Sequence, residues 1–330
     1  MNMPKHIPGK GIPPFRLIDL PLQQVRRLVY ESLQTRGAQT ELASFFDHLR
    51  AGGGKMLRPG MVLLAGACFG TLTDEHLRVS AMVEMIHHAT LLHDDVLDEG
   101  CQRRGIPTAN YLWGNESAVL LGDFLLSQVF RMTAELDSPV ARILAQTAAR
   151  VCEGELRQTV HKRNWQLSEA QYLEIITEKS ASFFGGCCRL GAMLSHADEG
   201  QIESVAQFGL LAGIAFQITD DLLDIAGEES HVGKTLQSDF AKDKPTLAVI
   251  HLLRTLDAAR QAEVRALLES PDGTGRELPA LLERAGSLRY ARERAAEYVA
   301  KALQTLADVP SSPAREALME TARFMANRVA

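Results

Sequence analysis

The chain has 330 residues, a formal net charge of −6 at pH 7 and 46% hydrophobic side chains. That is enough apolar matter for a sizeable core, and the acidic balance argues against nucleic acid as the main partner, because a phosphate backbone needs a basic face. Five cysteines, Cys68, Cys101, Cys152, Cys187 and Cys188, show neither a C-x-x-C pair nor zinc spacing and read as reduced cytoplasmic thiols.

Residues 1–16 are rich in proline, glycine and basic side chains, lack the apolar segment of a signal peptide, and read as a loose arm. Apolar residues at steps of three and four then predict helices over 20–35, 42–50, 58–69, 75–98, 115–136, 139–164, 169–196, 200–226 and 246–256. Turn signals between them include Thr71 to Asp74 and the N-cap candidate Ser168. Beyond Asp257 the helices shorten and are broken near 270–275 and 309–313. Nothing reads as a run of alternating strands, and no uninterrupted apolar stretch reaches the length of a membrane span. The expected fold is all-α, a single-domain helical bundle over 1–330.

Two copies of one acidic motif stand out, Asp94-Asp95-Val96-Leu97-Asp98 and Asp220-Asp221-Leu222-Leu223-Asp224. On a helix, positions i and i+4 share a stripe, so Asp94 pairs with Asp98 and Asp220 with Asp224. Converging carboxylates cannot all stay ionised without cations, and hard oxygen ligands without a closed cage suit Mg²⁺ that completes its shell with water and phosphate oxygens. A single D-D-x-L-D is often only a solvated helix face; the second copy and the surrounding cations argue otherwise. Those cations are Lys55 and Arg58 beside the glycine run 52–54, Arg103 and Arg104, Lys179, and Lys234 and Lys244. Arginine grips phosphate as a planar fork and lysine as a point charge, so the pattern predicts two diphosphates, one held through metal and one directly.

In order and spacing the chain resembles the trans-isoprenyl diphosphate synthases, specifically the long-chain, octaprenyl type. The likeness is carried by GGKMLRP at 53–59, EMIHHATLLHDDVLDEG at 84–100, RRG at 103–105, Gly122-Asp123, EKSASFF at 178–184, AFQITDDLLD at 215–224 and GKTLQSDFAKDKPTL at 233–247. It implies that Asp94, Asp98, Asp220, Asp221 and Asp224 bind Mg²⁺, three ions per site as the family uses, on an allylic diphosphate. It implies that Arg103, Lys179, Lys234 and Lys244 hold the same leaving group, and that Lys55, Arg58, His87 and Arg104 bind the diphosphate of isopentenyl diphosphate. Ser180, where the family more often has threonine, and Gln217 match polar residues near the breaking bond. Met56 stands where the family commonly has arginine, so it carries no role. The resemblance further implies two aspartate-rich helices facing each other across a central cavity, a homodimer, and a peripheral membrane contact for product release.

Other readings are weaker. His87, His88, His93 and Asp94 superficially resemble an HD-type phosphohydrolase site, which leaves the second motif and the lysines unexplained. A class I terpene cyclase usually replaces the second motif, and a non-catalytic synthase subunit loses catalytic aspartates. His93 reads as a packing residue, and Phe183-Phe184 as core.

Chain length is expected to depend on the turn before Asp94. Thr90 lies one turn back on the same stripe, and the resemblance adds Ala89 as the position where short-chain synthases place an aromatic ring. Both are small here, which predicts a long product rather than farnesyl or geranylgeranyl diphosphate, with Phe124 and Phe130 as the next candidates for a floor. Ala89→Phe is expected to shorten the main product, read by mass analysis of the prenyl diphosphates made; an unchanged long product sends the tail elsewhere.

Overall fold

The computed structural model describes residues 13–33, 42–51, 54–226, 244–269 and 274–327. A 3₁₀ helix, Pro13–Ile18, leads into α1 (Asp19–Ser32), α2 (Ala43–Ala51), α3 (Leu57–Ala67) and α4 (Asp74–Leu97). A two-stranded hairpin, β1 (Gln102–Arg103) with β2 (Ile106–Pro107), precedes α5 (Ala109–Thr133) and α6 (Ser138–Val160). Then come α7 (Glu169–Ile176), a π-helical turn (Thr177–Ala181), α8 (Ser182–Leu194) and α9 (Glu199–Ala226). The described chain ends with α10 (Leu247–Thr255), α11 (Ala258–Glu269), α12 (Thr274–Arg284), α13 (Ser287–Thr305) and α14 (Pro313–Ala326).

The centre is built from helices apolar on nearly every side. In α3, Met61, Val62, Leu63, Leu64 and Ala65 are all fully buried, and α8 buries Phe183, Phe184, Cys187, Cys188 and Leu190. α3 packs on α8 and α8 on α9. α9 joins two apolar clusters: Val205, Phe208 and Ala212 lie in the larger, while Ile218, Leu222 and Ile225 meet α7, α10 and α13 in the smaller. α4 packs on α5 and also touches α8, so α8 is in contact with both aspartate-rich helices.

The structure differs from the sequence reading in three places. Pro13 to Arg16 are not a loose arm; Phe15 is buried with its ring against Gly60 of α3. The remainder of that arm, 1–12, lies outside the described residues. The strands were not foreseen: Arg104 and Gly105 have φ of 53° and 77°, the two left-handed residues of a type I′ hairpin, which glycine permits cheaply at its second position. A short helical segment over 109–113, not foreseen, opens α5: Gly114 is non-helical with φ 84° and ψ 162°, and the main helix begins after it at the expected 115. By length and average hydropathy α9 would pass for a membrane span, but polar residues such as Gln207 and Gln217 interrupt it, in keeping with the sequence reading, and most of it is buried inside the protein.

The expected single helix 169–196 is also interrupted. Ser168 caps α7, its Oγ accepting from Gln171 N at 3.2 Å while Gln171 Oε1 accepts from Ser168 N at 3.0 Å. At Thr177–Ala181 the helix widens into a π turn, and the extra residue re-aims Lys179 and Ser180. α6 approaches so closely at Gly154 that a Cβ there would collide with the Lys179 backbone. Gly154→Ala is therefore expected to destabilise the protein by about 1–3 kcal/mol, as over-packing does, and to cost turnover with it. Thermal unfolding and steady-state rates check both, and a variant as stable as the wild type with full rate contradicts this packing argument.

Candidate active site

Asp94 and Asp98 stand at the C-terminal end of α4 and face cations delivered by other elements. Lys244, just ahead of α10, places Nζ 3.0 Å from both carboxylate oxygens of Asp98. Lys179 on the π turn donates to Gln158 Oε1 at 2.8 Å and pairs with Glu155, both from α6. Burial would lower the Lys179 pKa, but Asp94 and Glu155 outweigh it and hold the group at about 12, so it is a full cation at neutral pH. Burial pushes Asp94 above the usual carboxylate range; Lys179 and Lys244 oppose this while Glu155 and Asp98 add to it. Glu155, Gln158 and Gly154 were invisible to motif reading, since in sequence they are ordinary residues of an amphipathic helix.

The second motif divides its labour. Asp220 is partly exposed, and its charge is felt by Arg58, Arg103 and Arg104. Asp221 is 8% exposed and accepts from Tyr172 Oη at 2.6 Å and from Gln217 Nε2 at 2.8 Å. Ser180 Oγ donates to Gln217 Oε1 at 2.6 Å. Asp224 is fully buried. Lys234 lies outside the described residues.

A third group gathers around His87, two turns before Asp94 on the same face of α4. The Arg104 guanidinium lies against Gly54, next to Lys55, so the hairpin tip meets the last residue before that lysine. Lys55 is exposed and sits 5.5 Å from the Phe324 ring centre. The guanidinium of Arg58 stacks over Phe183 and Phe184 at 5.0 and 4.7 Å, which gives those two core rings a function as its seat. Arg58 Nε is buried with no hydrogen-bond partner among the described residues. Burial, with Arg58 adding to it, holds His87 well below the usual histidine range, so it is neutral at pH 7 and offers one N–H. Glu84, one turn earlier and only 2% exposed, has Oε1 3.3 Å from His88 Nε2. Burial alone would raise its pKa, but His88 and Arg58 bring it below the usual value, so it stays ionised. Sequence reading passed over Glu84 because one acid in an apolar stretch carries no spacing signal.

Arg103 is fixed by Asp95, with Nε and Nη2 each 2.8 Å from Oδ1. Asp95 thus faces the hairpin rather than the Asp94 and Asp98 stripe. Asn110 Nδ2 donates to the carbonyls of Asp95 and Gly100 at 3.2 and 3.1 Å and ties the hairpin to α4. His93 packs its ring on Gly122 of α5, 3.5 Å from Asp123, which accounts structurally for the Gly122-Asp123 pair. Of the chain-length candidates, Ala89 is fully buried, while Thr90 is partly exposed and donates to the His87 carbonyl at 2.8 Å. Phe124 stacks near Phe46 at 5.3 Å, and Phe130 is 71% exposed on the outer face of α5, away from any internal floor.

The polyprenyl synthetase family model matches residues 39–284, the span from just before α2 to the end of α12. The chain belongs to the polyprenyl synthetase family. It is 37% identical over 302 residues to a nonaprenyl diphosphate synthase of Mycobacterium tuberculosis, covering 89% of each chain. It is 34% identical over 286 residues to the octaprenyl diphosphate synthase of Escherichia coli, covering 85% of this chain and 88% of that one. Among solved structures, a polyprenyl synthase from Caulobacter crescentus complexed with calcium and isoprenyl diphosphate superposes with a TM-score of 0.90. It is 35% identical, with 96% of this chain and 97% of that one covered. The matched span contains every site residue from Lys55 to Lys244.

As a polyprenyl synthetase, the chain should lose turnover when either acidic pole is cut. Asp94→Ala and Asp220→Ala are each expected to abolish product formation while leaving the fold as stable or up to about 1 kcal/mol firmer, because crowded carboxylates are kept for function at a cost to stability. Lys179 keeps Glu155 in the Asp94 variant, so no buried lysine is stranded. Near-full activity in either variant rejects the assignment of that carboxylate.

Proposed function

We propose that the protein catalyses head-to-tail prenyl transfer, adding isopentenyl diphosphate to an allylic diphosphate such as farnesyl diphosphate to make a long-chain all-trans polyprenyl diphosphate. The observation that carries this reading is the meeting of two separately delivered lysines with Asp94 and Asp98 at the end of α4 and, two turns back on the same helix, the Arg58, His87 and Arg104 cradle. One pole suits a metal-bound leaving group and the other a diphosphate held directly.

The allylic C–O bond breaks and diphosphate departs with the electron pair. The terminal double-bond carbon of isopentenyl diphosphate bonds to the allylic carbon, and the released diphosphate accepts the proton then lost. Lys179, Lys244, Arg103 and Lys234 stabilise the charge that builds on the leaving group. Lys55, Arg58, His87 and Arg104 hold isopentenyl diphosphate, with the unpartnered Arg58 Nε and the neutral His87 as ready donors. Ser180 and Gln217 line the breaking bond.

Asp94, Asp98, Asp220 and Asp224 are hard oxygen donors that fit Mg²⁺, three per site by likeness to the family. Among the described residues no three acidic, histidine or cysteine side chains close into a cage, which leaves coordination to water and substrate phosphate. When bound, the metal neutralises the leaving diphosphate. Calcium with isoprenyl diphosphate in the Caulobacter crescentus relative supports divalent cation use.

The five unpaired cysteines support a cytoplasmic setting. The exposed apolar side chains of Leu112, Leu120 and Phe130 on α5, and of Leu156 and Val160 on α6, support a homodimer. Release of so apolar a product calls for peripheral contact with a membrane.

Two measurements test this reading. Turnover should require both diphosphates, since a cyclase needs only the allylic one. Lys55→Ala is the cleaner probe of the directly held diphosphate, because Arg58→Ala also removes packing against Phe183 and Phe184. It is expected to raise KM for isopentenyl diphosphate about ten- to a hundredfold, the worth of one charge-assisted contact, with the allylic KM little changed. Equal effects on both substrates reject the division of the site into two poles.

A further inference from the structure

Three elements meet in a buried chain of hydrogen bonds that motif reading does not reach. Tyr172 on α7 is 3% exposed, and its hydroxyl donates to Asp221 Oδ2 at 2.6 Å. Asp221 Oδ1 accepts from Gln217 Nε2 at 2.8 Å, and Gln217 Oε1 accepts from Ser180 Oγ at 2.6 Å. The order is fixed by what each group is able to do. A carboxylate only accepts, so the amide must turn its NH₂ toward Asp221 and its oxygen toward Ser180. Ser180 owns one proton and must spend it on that oxygen. Its lone pairs are then left for another partner.

We propose that Tyr172 is a positioning residue whose hydroxyl, acting through Asp221 and Gln217, turns the Ser180 oxygen lone pairs toward the allylic carbon that gives up diphosphate. Positive charge builds on that carbon, and an oxygen held with lone pairs forward stabilises it without reorganising. A serine free to rotate presents its proton for part of the time, which is the wrong sign. The carboxylate sets the direction of the chain and Tyr172 holds it in place: the hydroxyl anchors Oδ2 so that Oδ1 stays on Gln217, and burial keeps water from competing. No proton moves along the relay. The proposal rests on the prenyl-transfer reading, in which the bond breaks beside Ser180.

The test is a double-mutant cycle on the full-length protein with Tyr172→Phe, Ser180→Ala and the pair, measuring kcat, both KM values and the thermal midpoint. Tyr172→Phe should lower kcat about tenfold with both KM values within about twofold, and should add nothing once Ser180 is alanine. A tyrosine that served stability alone gives losses that multiply. Gln217→Met removes the N–H facing Asp221 and the oxygen facing Ser180 at nearly constant size, should lower kcat with both KM values little changed, and carries the test if Tyr172→Phe does not fold. An unchanged kcat in Tyr172→Phe, or losses that multiply with Ser180→Ala, overturns the relay alone. Full turnover by Ser180→Ala overturns the placement of Ser180 at the breaking bond and the relay with it.

Discussion

The site depends on one electrostatic settlement, the neutralisation of Asp94 and Asp98 by lysines that arrive from other parts of the chain. Neighbouring carboxylates with little access to water are costly unless cations stand beside them, and a buried lysine is equally costly without its acids. Lys179 comes from the π turn and Lys244 from the segment before α10, so α4, α6, the π turn and α10 are drawn around one cluster. With Glu155 included, three carboxylates face two ammonium groups there. The excess is negative, the sign that attracts a divalent cation.

The opposite pole is built with the signs reversed. Arg58 and Arg104 converge around the single buried carboxylate of Glu84, with the exposed Lys55 beside Gly54, leaving an excess of positive charge for an anion to meet. His87 adds a neutral donor rather than another cation, because burial and Arg58 deny it a proton. Two poles of opposite excess, set two turns apart along one helix, suit the proposed handling of two diphosphates, one through metal and one through side chains.

Geometry at the reacting centre comes from close packing. The π turn aims Lys179 and Ser180 only because α6 has no side chain at Gly154 to hold it off. The hairpin aims Arg103 and Arg104 only because its two central residues are left-handed. Apolar residues play the same part: Phe183 and Phe184 are core side chains and also the platform on which Arg58 rests.

The helical bundle, the two acidic motifs and the cations between them were legible in the sequence, because helical periodicity and i, i+4 spacing are local properties that any reader of the chain can count. The family likeness also follows from local strings. What the sequence did not carry was every contact between elements far apart in the chain. Asp95 reads as one more motif acid, yet it holds Arg103; Asp221 reads like its neighbours, yet Tyr172 and Gln217 occupy both its oxygens. Glu84, Glu155 and Gln158 look like ordinary helix residues until α3 and the π turn are packed beside them. The π turn has no signature at all, since nothing in 177–181 distinguishes it from α-helix. The sequence by itself determined which chemistry is present and on which helix face; tertiary packing decided which oxygen faces which proton, because that depends on distances between segments that only the folded chain brings within 3 Å of each other.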